Sequence, residues 1–214
     1  PLVLLMSAIE YIGYKYSDLI VGTMPGLHLH VNRILGHKKN IFISPFGIDS
    51  NENNINIKKA PTDFTIGYAG SIATSNALDN FIEAIKKSSE KKFNLKYLII
   101  GSGDKLHEYK TKLKHCNNVI FIDKVKHNEV FSLIKTCDIL YLSTHKSEIW
   151  KYGQSMNKIV DYMYSGKPII ASYTGYKSMI NEAECGEFIT VKCPKSLRNT
   201  IIKSTSILIS HKKS

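Results

Sequence analysis

Phe64-Thr65-Ile66-Gly67-Tyr68-Ala69-Gly70-Ser71-Ile72-Ala73-Thr74-Ser75-Asn76-Ala77-Leu78-Asp79-Asn80-Phe81-Ile82-Glu83-Ala84-Ile85 contains the two periods that decide the fold. Its opening, residues 64–68, is a short apolar run rich in β-branched and aromatic side chains, the composition of a strand covered on both faces. Beyond Gly70, the residues Leu78, Phe81, Ile82 and Ile85 fall at i, i+3, i+4 and i+7, which predicts a helix with one apolar stripe against a sheet. Thr74 or Ser75 is the expected cap of that helix.

The same theme repeats outward along the chain. Apolar runs at 97–100, 119–122, 139–143, 169–172 and 188–191 complete six expected strands. Leu106, Tyr109 and Leu113, and later Val130, Phe131 and Ile134, mark helices between them. Strands alternating with helices imply a parallel sheet with right-handed crossovers, so the fold class is α/β, a Rossmann-like doubly wound parallel sheet. Residues 1–48 also read helix, strand (18–23), helix, strand (40–44), but two strands cannot bury both faces alone, so this stretch is expected to be the end of another domain. Residues 49–61, with Asn51, Asn53, Asn54, Asn56, Lys58 and Lys59, lack an apolar period and form the expected linker to a domain over 62–214.

Composition narrows the function classes. Of 214 residues, 43% are hydrophobic and 22% charged, which excludes disordered and collagen-like chains. The longest unbroken apolar run, residues 2–6, is far below the roughly 20 residues of a membrane span. The chain opens at Pro1 and shows no basic start before that run, so it is expected to lack a signal peptide and to be cut from something longer. The net charge of +11 is carried almost wholly by scattered Lys, with Arg only at 33 and 198, a weak footprint for nucleic acid. An anionic partner, either a phosphorylated substrate or an acidic membrane surface, fits the charge, although a Lys-, Ile- and Asn-rich composition is the better account of it. Cys116, Cys137, Cys185 and Cys193 form no C-x-x-C and no zinc spacing, and the chain has no N-x-S/T sequon. A reducing cytosol and no metal are expected.

In an open parallel sheet, ligands bind at the carboxyl ends of the strands, which directs attention to three loops. Gly70-Ser71-Ile72-Ala73-Thr74-Ser75 and Gly101-Ser102-Gly103 hold glycines that either admit a ligand to backbone amides or simply make a tight turn; neither is a complete G-x-G-x-x-G. The third, Lys151-Tyr152-Gly153-Gln154-Ser155-Met156-Asn157-Lys158-Ile159-Val160-Asp161-Tyr162-Met163, runs into Ser165-Gly166-Lys167-Pro168 and reads as glycine, cap, helix, stop. Ser155 is the expected cap, Gly166 suits the left-handed terminus and Pro168 prevents continuation. A helix start carrying free amides, Ser155, Asn157 and Lys158 favours a diphosphate, with an ordinary capped helix and a solvated Lys as the equal alternative. Asp161, on the same face as Lys158, either accepts hydrogen bonds from ribose hydroxyls or, the favoured reading from spacing alone, pairs with Lys158. His145 and Glu148 lie in the loop after the fourth strand, where a solvated role is the commoner one, and neither is assigned to catalysis.

Several of these segments together resemble the carboxy-terminal, nucleotide-sugar-binding domain of family 4 retaining glycosyltransferases (GT-B fold), particularly those of capsule and O-antigen synthesis. Ile66-Gly67-Tyr68-Ala69-Gly70, Leu98-Ile99-Ile100-Gly101-Ser102-Gly103 and Asn118-Val119-Ile120-Phe121-Ile122 are similar to the family's first three strands and turns. The stretch from Tyr152-Gly153 through Asp161-Tyr162-Met163 to Ser165-Gly166-Lys167-Pro168-Ile169-Ile170 is similar to its Glu-seven-residues-Glu helix and following strand. Ile43-Ser44-Pro45-Phe46-Gly47-Ile48-Asp49 resembles the exit from its first domain, so residues 1–48 correspond to a remnant of the acceptor domain. Asp161 stands at the second glutamate, Gly153 at the first, and Ser71 and Asn76 where many members carry Arg and Lys. Lys158 is then the leading local cation and Lys151 the second.

The resemblance implies a metal-independent, cytoplasmic enzyme, at the inner face of the plasma membrane or free of it. It would move a sugar, with retention, from a nucleotide diphosphate donor to a glycan or lipid-linked acceptor of surface polysaccharide. It implies no cofactor and no nucleic-acid partner. With it, the diphosphate is expected at Gly70, Ser71, Ser155, Met156, Asn157 and Lys158, the ribose at Asp161 and the sugar in the neighbourhood of Tyr152 and Gly153; the base is expected at Asp123, Lys124 and Val125, because the loop after the third strand opens at the same sheet edge. The catalytic groups would lie in the absent part, leaving this chain inactive alone. Alternatives are a nucleotide-sugar-binding subunit without catalysis, encouraged by Gly153, Ser71 and Asn76, and a nucleotide-sugar 2-epimerase.

Overall fold

A computed structural model of the chain describes residues 1–48, 64–88, 95–173, 175–176, 178–189 and 194–213, the last segment with side chains over 195–206. The expected linker, 49–61, lies outside these described residues, as do the last two positions of the strand expected at 188–191. The described chain forms two compact units. One comprises Pro1–Gly47, Ser147–Asn157 and Gly175–Ser178, and the other Ile48–Lys146, Lys158–Thr174 and Met179–Ser214.

In the first unit, helix α1 (Leu2–Tyr16), strand β1 (Ile20–Gly22), helix α2 (Leu27–Leu35) and strand β2 (Ile41–Ile43) follow the expected order, and β1 pairs parallel with β2. Both strands are shorter than expected and neither is fully covered: Val21 and Phe42 are each 60% exposed. The 147–157 segment belongs here because its backbone docks on the β1–α2 turn, with the Gly26 N–H donating to the Tyr152 carbonyl at 2.7 Å.

The second unit carries the six-stranded parallel sheet. It contains β3 (Phe64–Ala69), α3 (Asp79–Ser88), β4 (Leu95–Ile100), α4 (Leu106–Lys112), β5 (Val119–Ile122), α5 (His127–Lys135), β6 (Ile139–Ser143), α6 (Asn157–Tyr164, which opens at the unit boundary), β7 (Ile169–Ser172), α7 (Met179–Glu182), β8 (Gly186–Ile189) and α8 (Pro194–Lys213). The spatial order is β5-β4-β3-β6-β7-β8, every pair parallel. The continuously apolar runs are the inner strands: β6 and β7 are buried at every residue, whereas the edge strand β5 is mostly half-exposed and β8 opens with two exposed residues, Gly186 and Glu187. The stripe read from the sequence, Leu78, Phe81, Ile82 and Ile85, is at most 1% exposed. Phe81 stacks on Tyr141 with centroids 4.2 Å apart and meets Tyr97 edge-on at 6.0 Å.

One capping expectation fails here. Thr74-Ser75-Asn76 forms a separate 3-10 turn and α3 starts only at Asp79. The Thr74 hydroxyl is drawn instead to the Asp104 carboxylate at 2.7 Å, a tertiary partner that competes with the local backbone.

Candidate functional site

β3 and β6 are neighbours in the sheet although two strands separate them along the chain. This is where strand order reverses and a crevice opens beyond the carboxyl ends. The loops at this edge are held by backbone bonds that prolong the ladder: Gly70 N–H to Ile100 O at 3.0 Å, Gly101 N–H to Ile122 O at 2.9 Å, and Ile72 N–H to Ser102 O at 2.9 Å. Ser143, which ends β6, donates its hydroxyl to the Asn76 carbonyl at 2.7 Å, and the His145 ring meets the Thr74 carbonyl. Gly70 turns with φ 150°, a conformation that L side chains rarely adopt.

Lys158 is set into this edge. Tyr162, one helical turn further along α6, accepts a hydrogen bond from the Ala69 N–H at 2.8 Å and donates its own hydroxyl to the Ala69 carbonyl at 3.2 Å. That double bond pins α6 to the end of β3, and the i, i+4 spacing then delivers Lys158 on the same face. Its ammonium donates to Asn76 Oδ1 at 2.9 Å and to the Tyr68 hydroxyl at 3.3 Å, and lies 5.0 Å from the Tyr68 ring centroid. A Cβ at position 70 would come within 2.9 Å of Nζ. All these partners are neutral. Burial pushes the Lys158 ammonium down to about 8, with no carboxylate among the described residues bonded to it. A cation held in a desolvated place by neutral acceptors is poised for an anion from outside the chain.

Beside it lies a cleft of about 450 Å3 lined by Gly70, Ser71, Ile100, Gly101, Ser102, Lys124, Val125, His127 and Val130. Two of the three residues expected at the base, Lys124 and Val125, line this cleft. Asp123 is absent from its walls, its carboxylate instead facing Lys110 at 3.4 Å. Ser102 and His127 are cleft residues that the sequence reading did not assign. The Gly101-Ser102-Gly103 turn was a visible signal for the first, whereas nothing local marks His127.

Asp161 does not pair with Lys158, the partner favoured from spacing. It pairs with His127, Nε2 to carboxylate 3.3 Å, because Lys158 is drawn inward to Asn76 and Tyr68 while His127 opens α5 nearby. Asp161 is 17% exposed and His127 63%, so this pair is accessible at the margin of the cleft.

The remaining members of the third loop fall in the first unit. α6 begins at Asn157, so Ser155 lies too early to be its cap; its hydroxyl is buried without a hydrogen-bond partner among the described residues, as are both polar atoms of the Gln154 side chain, which is 3% exposed. Met156 is half-buried and Asn157 exposed. Gln154 was missed because a glutamine between a glycine and a serine carries no periodic signal. Gly153 has φ 106° and a Cβ there would overlap the Pro25 ring, so the position excludes a side chain. Lys151 is exposed and pairs with Glu148 at 3.1 Å, and the backbone of Trp150 and Tyr176 joins the two shorter segments of this unit at 2.9 Å. Among the described residues, no group of three His, Cys, Asp or Glu side chains is placed to hold a metal ion, and no helix is long and apolar enough to cross a membrane.

Comparison with solved structures finds the same fold in proteins of low identity. Anabaena Alr3699/HepE in complex with UDP and glucose superposes with a TM-score of 0.64 at 15% identity, over 91% of this chain and 56% of that one. Sucrose-phosphate synthase from Thermosynechococcus elongatus gives 0.71 at 13% identity, over 94% and 52%. The C-terminal domain of the glycosyl transferase group 1 protein LpcC from Francisella tularensis gives 0.55 at 24% identity, over 70% and 77%. The chain thus spans about half the length of the first two. No curated protein matches it by sequence. The family model described as glycosyl transferases group 1 matches residues 63–206, which takes in the whole switch-point edge from Gly70 to Lys158 and Asp161, and the chain belongs to that family.

Proposed function

We propose that this chain is the donor-binding part of a family 4 retaining glycosyltransferase that transfers a hexose from a nucleoside diphosphate sugar to a lipid-linked acceptor of surface polysaccharide, at the cytoplasmic side of the membrane and without metal. The observation that carries the reading is the Lys158 ammonium, buried against the Gly70 turn with only neutral partners among the described residues. In this reading the diphosphate lies over Gly70 and Ser71 and supplies Lys158 with its missing counter-charge. The nucleoside runs into the adjoining cleft, its base by Lys124 and Val125 and its ribose at the Asp161–His127 pair. Solved relatives of the same fold, described as holding UDP or UDP-glucose, favour uridine as the nucleoside. A cation aimed at the leaving diphosphate stabilises charge that develops in the transition state. Asp161 orients the donor.

Calorimetric titration of this chain with UDP, GDP and uridine tests the proposal. UDP should bind and uridine bind far more weakly, with the difference lost in Lys158→Ala. Equal affinity for UDP and uridine would remove the phosphate site.

A second reading, donor binding without turnover, is favoured by Gly153. Where the family resemblance places a glutamate, the Pro25 ring occupies the space a side chain would need. Glycosyl transfer to a lipid-linked acceptor by a complete form of the protein separates the two readings.

A further inference from the structure

His127 belongs to the wall of the 450 Å3 cleft and Asp161, the carboxylate given above to the ribose, does not. The imidazole Nε2 lies 3.3 Å from Oδ1 and 3.3 Å from Oδ2 of Asp161, so it faces the fork of the carboxylate and not a single oxygen. A carboxylate only accepts, so the N–H of Nε2 is the donor and is shared between the two oxygens. Those are the atoms that the vicinal hydroxyls of a ribose would use. Imidazole and ribose therefore compete for one place.

The helices fix where this contact forms without fixing the ring. Phe131, one turn beyond His127 on α5, stacks on Tyr164, one turn beyond Asp161 on α6, with centroids 5.0 Å apart. Phe131 is 3% exposed, and the i, i+4 and i, i+3 spacings then bring His127 and Asp161 to the same side of the helix contact. The start of α5 is pinned as well, the Glu129 carboxylate accepting from the Lys126 N–H at 3.1 Å. By comparison the ring's hold on Asp161 is weak. Its side chain is 63% exposed, and both distances exceed the about 2.7–2.9 Å of a strong charge-assisted bond. Rotation about the His127 side-chain bonds uncovers the carboxylate and leaves the helix frame unchanged. Two O–H donors on two oxygens then replace one N–H shared between them, which gives a ribose the differential contact it needs to shift the ring.

We propose that His127 is a latch on the ribose site: its imidazole covers Asp161 until the ribose hydroxyls of a nucleotide displace it. This rests on the donor reading above and sets the sign of a substitution. A cleft side chain that touches the ligand adds to affinity, whereas one that must be displaced subtracts from it.

Titration calorimetry, with NMR of the histidine ring signals, tests the latch on this chain with UDP and inorganic pyrophosphate as probes. The His127 signals, identified by their loss in His127→Ala, should move at saturating UDP and stay in place with pyrophosphate, which carries no ribose. An exposed pair of this kind is weak, so His127→Ala should raise UDP affinity about two- to fivefold and leave pyrophosphate affinity unchanged. The gain should vanish when His127→Ala is added to Asp161→Asn, where no carboxylate remains to be covered. Unchanged or lowered UDP affinity in His127→Ala, with an unchanged thermal melt, overturns the latch, and so do His127 signals that stay in place at saturating UDP. Both results leave the donor reading intact. An equal change for UDP and pyrophosphate also overturns it, by tracing the effect to the charge of the ring. Failure of both the chain and His127→Ala to bind UDP overturns the donor reading, and the latch with it.

Discussion

Gly70 and Gly153 are both loop glycines with positive φ, yet the missing side chain serves different ends. At Gly70 the space is used by the Lys158 ammonium, and at Gly153 it is filled by the Pro25 ring. One glycine makes room for a charge and the other for packing. A ligand can compete for the first space, since the end of a flexible Lys can move, and cannot compete for the second without displacing backbone. Glycine in a loop therefore signals close approach, and only the approaching atom reveals the purpose.

The sharpest way to break this contrast is Gly153→Glu, the substitution that would rebuild the family's first glutamate. Overlap with Pro25 and a strained φ should cost about 2–4 kcal/mol in the first unit. Loss of hydrogen-exchange protection at the Gly26 amide, which donates to Tyr152, would report it. Unchanged protection would mean the loop yields easily and that Gly153 is free to vary. Lys158→Ala should leave stability nearly intact, because a desolvated charge is removed along with its bonds, and should reduce UDP affinity about tenfold to a hundredfold. Gly70→Ala should fall between the two, costing about 1–2 kcal/mol of stability through its φ and also weakening UDP by displacing Nζ. Thermal melts and titration on the same sample separate these effects.

pH sharpens the comparison because only one of the two glycines lies against a titratable group. The Lys158 pKa is lowered in the folded chain, to about 8 from 10.5, so the folded state binds fewer protons than the unfolded state between those values. The penalty of burying the charge is fully present below about pH 8 and is relieved as pH rises through the window, so this group makes the chain more stable toward pH 10. Diphosphate binding has the opposite sign: it needs the proton, so UDP affinity should fall as pH rises above about 8, with proton uptake on binding. Lys158→Met should abolish both slopes, which buffer-dependent calorimetry reads directly. The smallest expected effect is that of Asp161→Asn, a loss of a few-fold in UDP affinity with inorganic pyrophosphate unaffected. Equal loss for both ligands would place Asp161 with the phosphates.

Legibility followed the range of the interaction that placed each residue. The helix stop at Gly166 was readable because φ 69° is a local requirement that glycine meets. The Ser155 and Thr74 caps failed because a hydroxyl near a helix start has competing fates, burial in one case and Asp104 in the other. Spacing placed Lys158 and Asp161 on one face but could not pair them, since Tyr68, Asn76 and His127 come from other strands and helices. The contact between His30 Nε2 and the Glu10 carboxylate, at 2.7 Å, was invisible for the same reason, since it joins α2 to α1.

Alternating apolar runs and helical stripes determined by themselves that this protein is a parallel α/β sheet with its loops at one edge, because burying those runs on both faces admits few other arrangements. The strand order β5-β4-β3-β6-β7-β8, the turning of Lys158 inward to neutral partners, and the use of Gly153 for packing were decided only by the tertiary structure. Each depends on atoms brought together from more than 70 residues apart, and no local periodicity carries that information.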